Sequence, residues 1–248
     1  MKRVAEVIVP QWPAPSRVRA LSTTRHGGSS SAPYKSLNLG THVGDDPALV
    51  TNNRVMLRQQ HNLPEDPLWL EQVHGCAVVE CSADESGLPI TADAVFSDRP
   101  GKVCAVMTAD CLPLLLCSRS GMKVAAVHAG WRGLAAGVIE AAIDRFEEPG
   151  ESLLAWMGPA IGAEQFEVGS EVREQFLAVD QKNEAAFQRG CSGHWLADIY
   201  QLARIRLEKR DVGFIGGGDY CTVSDSDRFF SYRRDGVTGR MASLIWVV

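Results

Sequence analysis

Two imidazoles and a thiol, those of His74, Cys111 and His128, are the side chains in this chain best suited to chemistry. They stand in Trp69-Leu-Glu-Gln-Val-His74-Gly75, Thr108-Ala-Asp110-Cys111-Leu-Pro113 and Ala125-Ala-Val-His128-Ala-Gly130-Trp131-Arg132-Gly133. In each segment a polar group sits where an apolar run meets a turn, the usual place for a site on a rigid scaffold. Such a set can hold zinc with a fourth position left for water or substrate, which makes an enzyme the expected class. Separations of 37 and 17 residues match no zinc finger, so the fold must assemble the ligands. The residues alone leave a second reading open, in which Cys111 and His128 form a thiolate–imidazolium pair for acyl transfer with an aspartate as orienter. Core histidines and a buried small cysteine are the plain alternative. Six histidines are too few for the mononuclear and trinuclear centres of a multicopper oxidase. A single His2Cys site still accepts copper as well as zinc.

Asp110 and Asp93 are the candidate general acids or bases, and Glu71 is a weaker one. Each can equally be a turn or strand-end carboxylate. Arg25, Arg132 and Arg233 are candidate anion binders, because a planar guanidinium suits phosphate or carboxylate. Arg132 directly precedes a helical pattern, whose N-terminal N–H groups can receive an anion. Arg233 follows Phe229-Phe-Ser-Tyr232, aromatics able to stack on a base or to cover core. Structural ion pairing is the alternative for each arginine.

The elements that must position these groups alternate between helices and hairpins. Asp46-Pro47 reads as an N-cap with proline at the first helical position, opening a helix to about His61. Strands are expected at Leu68–Val73, Cys76–Cys81, Ala94–Phe96, Lys102–Met107, Leu112–Cys117 and Lys123–Val127. The last two should form a hairpin across Arg119-Ser-Gly121. Periodicity predicts helices over Leu134–Phe146, Glu167–Val179 and Leu196–Lys209. In the last of these, Arg204–Arg210 reads as a solvated face. Gly216-Gly-Gly218 lacks the Lys-Ser/Thr of a phosphate loop and reads as a tight turn. Met241–Val248 is an apolar tail of strand length.

At 248 residues the chain can bury a substantial core, and its composition, with 45% hydrophobic and 22% charged residues, is that of a globular protein. A net charge of -5 gives no footprint for nucleic acid or an anionic membrane. No run reaches the length of a membrane span, and the N-terminal apolar stretch is too short for a signal peptide. Seven irregularly spaced cysteines argue against a disulfide framework and for a reducing, cytoplasmic setting.

Longer stretches carry a resemblance. Met107–Leu116 and Val124–Val138 are similar to the core motifs of the YfiH or laccase-domain (DUF152) family. So are Leu37-Asn38-Leu-Gly-Thr-His-Val-Gly-Asp-Asp46, Trp69–Gly75, Gly158–Gly162, Phe229–Arg234 and Gly239-Arg-Met-Ala-Ser243. The resemblance spans nearly the whole chain. It implies one α+β domain over 1–248, a four-layer α/β/β/α sandwich with mixed sheets. That fold is similar to the catalytic domain of cytotoxic necrotizing factors, where a Cys–His pair performs deamidation. It implies His74, Cys111 and His128 as zinc ligands, with copper possible. The residue chemistry adds Cys111, His128, Asp110 and Asp93 as expected catalytic groups, and Arg25, Asn38, Arg132 and Arg233 as expected around substrate and phosphate. The activity it implies is a purine nucleoside phosphorylase acting on adenosine, inosine and 5′-methylthioadenosine, with adenosine deaminase activity. The alternatives are editing of UDP-MurNAc peptidoglycan precursors that carry L-serine, copper-dependent polyphenol oxidation, and a non-enzymatic metal-stabilised binding protein. The implied partners are small molecules, with neither nucleic acid nor membrane among them.

Overall fold

A computed structural model describes residues 4–81, 90–191 and 193–248. Its centre is two sheets packed face to face. A six-stranded sheet has the order Phe214–Gly217, Leu153–Met157, Leu112–Ser118, Val124–Ala129, Ala94–Ser97 and Val78–Glu80. The outermost pair at each edge is parallel and the pairs between are antiparallel, so the sheet is mixed. A four-stranded antiparallel sheet has the order Val7–Ile8, Val18–Thr23, Met241–Val247 and Val103–Thr108.

Side-chain alternation along the strands divides the core into layers. On Leu112–Ser118, Leu112, Leu114 and Leu116 face the helices Val138–Asp144 and Ile199–Lys209, meeting Ile139, Phe146, Leu202 and Leu207. Leu115 and Cys117 point the other way, onto Cys104, Val106, Ile245 and Val247 of the four-stranded sheet. The far side of that sheet, through Val103, Ala105 and Leu244, packs on Leu57 of the helix Pro47–Gln60 and on Leu37 and Leu39. The result is helix, sheet, sheet, helix, as the resemblance implied.

Local chemistry set some elements as expected. Asp46 caps Pro47–Gln60, its side chain accepting from the Ala48 N–H at 2.8 Å. The hairpin of Leu112–Ser118 and Val124–Ala129 forms, and Met241–Val247 becomes an interior strand. Other elements differ from expectation. The Leu134–Phe146 pattern is two helices, Trp131–Ala136 and Val138–Asp144, because Gly137 adopts φ 99° between them. Leu196–Lys209 is a strand, Trp195–Ala197, then a helix capped by Asp198; Glu167–Val179 likewise opens with the strand Glu167–Val168. Arg206 is not solvated: it is buried and ion-paired to Glu140 at 2.7 Å. Gly216 and Gly217 belong to an edge strand rather than a turn, and a Cβ on Gly217 would meet the Met157 carbonyl oxygen at 2.2 Å.

Leu115 has no exposed surface and lies between the sheets. Leu115→Ala should lower unfolding free energy by about 2–5 kcal/mol in urea denaturation. Val55→Ala, on the exposed face of the first helix, should stay within about 0.5 kcal/mol. Equal effects would contradict a core between the sheets.

Candidate metal centre

Asp93 ends the turn that leads into Ala94–Ser97 and is fully buried. One carboxylate oxygen accepts from the His74 N–H at 2.9 Å and from His128 Nδ1 at 2.8 Å. The other accepts from the Gly75 N–H at 2.6 Å and the Val73 N–H at 3.3 Å. His74 occupies the left-handed region, φ 62°, which a non-glycine residue adopts at some cost. Three N–H groups converging on one carboxylate hold it there. His128 stands on Val124–Ala129, beside the Asp93 strand, and its own N–H donates to the Asp93 carbonyl at 2.7 Å. With Nδ1 committed to Asp93, Nε2 of His128 is the nitrogen left to act. This is the carboxylate–histidine arrangement that fixes the tautomer of a metal ligand.

Cys111 precedes the Leu112–Ser118 strand, after Asp110 at φ 92°. Its Sγ lies 3.7 Å from His74 Nε2, and the donor atoms of His74, Cys111 and His128 all fall within 4.8 Å of one another. Tetrahedral zinc with bonds of about 2.0–2.3 Å needs donors about 3.5 Å apart, so residue types and spacing both fit a metal. Gly130 allows the approach, because a Cβ there would lie 2.8 Å from His74 Cδ2 and 3.0 Å from Cys111 Sγ. Gly133 allows the turn to dock, since a Cβ there would meet the Gly75 carbonyl oxygen at 2.6 Å.

The electrostatics match the geometry. Burial alone would push the Cys111 thiol up, but the charge and hydrogen bond of His128 and those of His74 outweigh it and favour thiolate. Burial would pull His128 down; the Cys111 thiolate and the Asp93 carboxylate lift it instead. For Asp93, burial is opposed by the His128 hydrogen bond, the Gly75 N–H, the His128 charge and the His74 N–H, and the carboxyl lies below its ordinary value.

The cluster lines a cavity of about 550 Å³, whose wall also carries His42, Trp131, Arg132, Phe166, Tyr232, Arg233 and Arg240. Asp110 lines it too, but both its oxygens are engaged: Oδ1 accepts from Thr222 Oγ1 and Oδ2 from the Arg233 N–H, each at 2.6 Å. Asp93 lies behind the histidines rather than in the cavity wall. Glu71 lines a neighbouring groove. Arg25 is elsewhere, its Nε on the Lys35 carbonyl and its Nη1 on the Ser226 carbonyl. Asn38 is also absent from the wall; fully buried, it binds Gly40, Asp45 and the Arg240 backbone. Gln72 was not singled out from sequence. Its amide pairs with both the N–H and the carbonyl of Met107 at 2.8 Å and so fixes the segment leading to His74. His42, Tyr232 and Arg240 lie within the stretches that carry the family resemblance, and that is the sequence signal for them.

The sequence profile of the family described as "Multi-copper polyphenol oxidoreductase laccase" matches residues 19–248. The chain is 56% identical over 246 residues to an Escherichia coli protein named purine nucleoside phosphorylase YfiH, covering 99% of this chain and 100% of the relative. It is 55% identical over 241 residues to a Pseudomonas aeruginosa purine nucleoside phosphorylase, covering 97% and 98%. The crystal structure of a Neisseria meningitidis DUF152 protein superposes with a TM-score of 0.93 at 49% identity, covering 97% of this chain and 98% of that one. Among the described residues no helix is long and apolar enough to cross a membrane.

Gly130 has φ −63°, which alanine adopts freely, so Gly130→Ala should leave the fold intact and lower metal content by crowding His74 and Cys111. Unchanged metal content by elemental analysis would contradict the packing. Asp93→Asn should weaken metal binding on the order of 10–100-fold in a chelator competition. Because the folded Asp93 carboxyl lies below its unfolded value, its stabilising contribution is present above the unfolded carboxylate range. It is lost as pH falls through the folded value. In metal-free protein, the acid-side loss of melting temperature should therefore be shallower in Asp93→Asn than in wild type; parallel curves would contradict this.

Proposed function

Because the chain belongs to the laccase-domain (DUF152) family, we propose that it cleaves purine nucleosides with phosphate to give the free base and ribose 1-phosphate. The observation that carries this reading is the meeting of the His74, Cys111 and His128 donors on the wall of a nucleoside-sized cavity that also presents three arginines. The names of the relatives supply the substrate class. Zinc held by these three side chains would supply a Lewis acid for charge developing on phosphate or sugar.

The protein groups have separable tasks. Trp131, Phe166 and Tyr232 offer aromatic surface against which a purine can lie. Arg132, Arg233 and Arg240 make the wall attractive to the phosphate dianion. One phosphate oxygen forms a bond to C1′ as the bond from C1′ to purine N9 breaks. The electron pair of that bond leaves with the base, and the proton lost by phosphate is the proton gained by the purine. Holding the two reactants together in one cavity reduces the entropic part of the barrier. Adenosine deamination would need a carboxylate to carry a proton to the leaving ammonia. Asp93 has two donors on each oxygen and lies outside the cavity wall, which leaves Asp110, with one donor on each oxygen, as the candidate for that task; the names of the relatives favour phosphorolysis.

Purified protein of known metal content should convert adenosine and inosine to free base and ribose 1-phosphate only when phosphate is present, as followed by mass spectrometry. Cys111→Ala should lose metal and lower kcat/KM on the order of 10²-fold or more. Turnover in the variant equal to wild type would overturn the assignment. Release of L-serine from a UDP-MurNAc-L-serine precursor, with nucleosides untouched, would favour the editing alternative.

A further inference from the structure

Three arginines line the cavity, and their side chains are used differently. Arg132 is exposed, with its guanidinium over the Trp131 ring at 4.4 Å, so water screens its charge. Arg233 donates Nη1 to the Glu167 carbonyl at 3.0 Å and lies over Phe166 at 5.7 Å, which ties its head to the cavity rim. Arg240 is held from behind. Its backbone N–H donates to Asn38 Oδ1 at 2.9 Å, and Nη1 donates to the carbonyls of Thr238 and Gly239, both at 3.1 Å. Its stem lies on Gly40, where a Cβ would come within 2.9 Å of Cγ. Asn38 is itself locked, its carbonyl accepting from Asn53 Nδ2 at 2.8 Å.

Strand register aims this arginine at the cluster. Met241 pairs with Thr108 across the four-stranded sheet, so Arg240 stands opposite the segment that carries Asp110 and Cys111. Partial burial lowers its affinity for the proton, while the charges of Cys111, Asp110 and Tyr232 act in the opposite sense. Among the described residues, no hydrogen-bond partner engages Nε or Nη2, although the side chain lines the cavity. A guanidinium with one corner anchored and two donors left for a ligand suits a bidentate grip on an oxyanion. Its rotamer is already fixed, so little side-chain entropy is lost on binding.

Resting on the phosphorolysis reading, we propose that Arg240 is the phosphate anchor of this cavity, and that Asn38 is the positioning residue that sets its direction. Arg240 grips the oxygens of phosphate that do not attack, and Asn38 acts only through Arg240. This gives Asn38 a role in phosphate binding without contact with the anion.

The test titrates inorganic phosphate into metal-loaded wild type, Arg240→Gln, Arg240→Lys and Asn38→Ala by calorimetry, with steady-state kinetics alongside. Arg240→Gln should weaken phosphate binding about 10- to 100-fold and raise the KM for phosphate by a similar factor, leaving the KM for nucleoside unmoved. Arg240→Lys keeps the charge without the fork and should recover part of the loss. Asn38→Ala should raise the KM for phosphate less than Arg240→Gln does. Metal content and melting temperature in the lysine variant separate lost binding from lost folding. Wild type that neither binds phosphate nor requires it overturns the phosphorolysis reading and this inference together. Wild type that binds phosphate, beside an Arg240→Gln variant that binds it equally well, overturns the Arg240 assignment alone.

Discussion

The Asp93 carboxylate accepts the His74 and Gly75 N–H groups and the His128 ring at once, and so fixes two distant segments with one buried charge. Desolvating a carboxylate costs several kcal/mol, and only a full set of donors offsets it. Here each oxygen has two. The same bonds hold His74 in its left-handed conformation and orient His128 so that Nδ1 points away from Cys111. Without that carboxylate, His128 keeps its place on the strand but loses the partner of Nδ1, and the His74 turn loses three of its acceptor contacts.

Strand pairing brings up the third donor, the Cys111 thiol. Leu112–Ser118 and Val124–Ala129 pair so that Pro113 lies opposite His128, which brings the residue preceding Leu112 up beside the histidine. The Asp110 carboxylate then ties the Cys111 turn to Thr222 and to the short helix Tyr232–Asp235, the far wall of the cavity. The His128 side chain therefore rests on an interior strand, and those of His74 and Cys111 on hydrogen-bonded turns, where small displacements are resisted by close packing. Gly130 and Gly133 are small for a reason of the same kind: the His74–Gly75 turn occupies the space their side chains would need.

What the sequence revealed follows the range of the forces involved. Asp46-Pro47 set a helix start through bonds within three residues, and that start was legible. The His–Cys–His set was legible as chemistry, since few residue types bind metals, although its assembly depends on sheet pairing that no local pattern displays. Gly137 broke a helical period that looked continuous, and Asp198 capped a helix whose preceding residues pair as a strand. The anion binders were the least legible. Arg25 and Asn38 have suitable side chains, yet both are spent on the protein itself. Arg240 reaches the cavity because Met241 pairs with Thr108, a contact between residues far apart in sequence. Asp93 reads from sequence as a candidate proton carrier; what the geometry adds is its burial behind His128 and the hydrogen bonds by which it tethers both histidines.

The donor geometry predicts one metal ion shared by His74, Cys111 and His128, with Asp93 holding the two histidines. The decisive experiment is anomalous diffraction from crystals of protein purified without added metal or chelator. One zinc peak should stand about 2.0–2.1 Å from His74 Nε2 and His128 Nε2 and about 2.3 Å from Cys111 Sγ, with the Asp93–His128 bond intact. Absence of any peak at this cluster, or a metal bound elsewhere while these three donors stay apart, would contradict it.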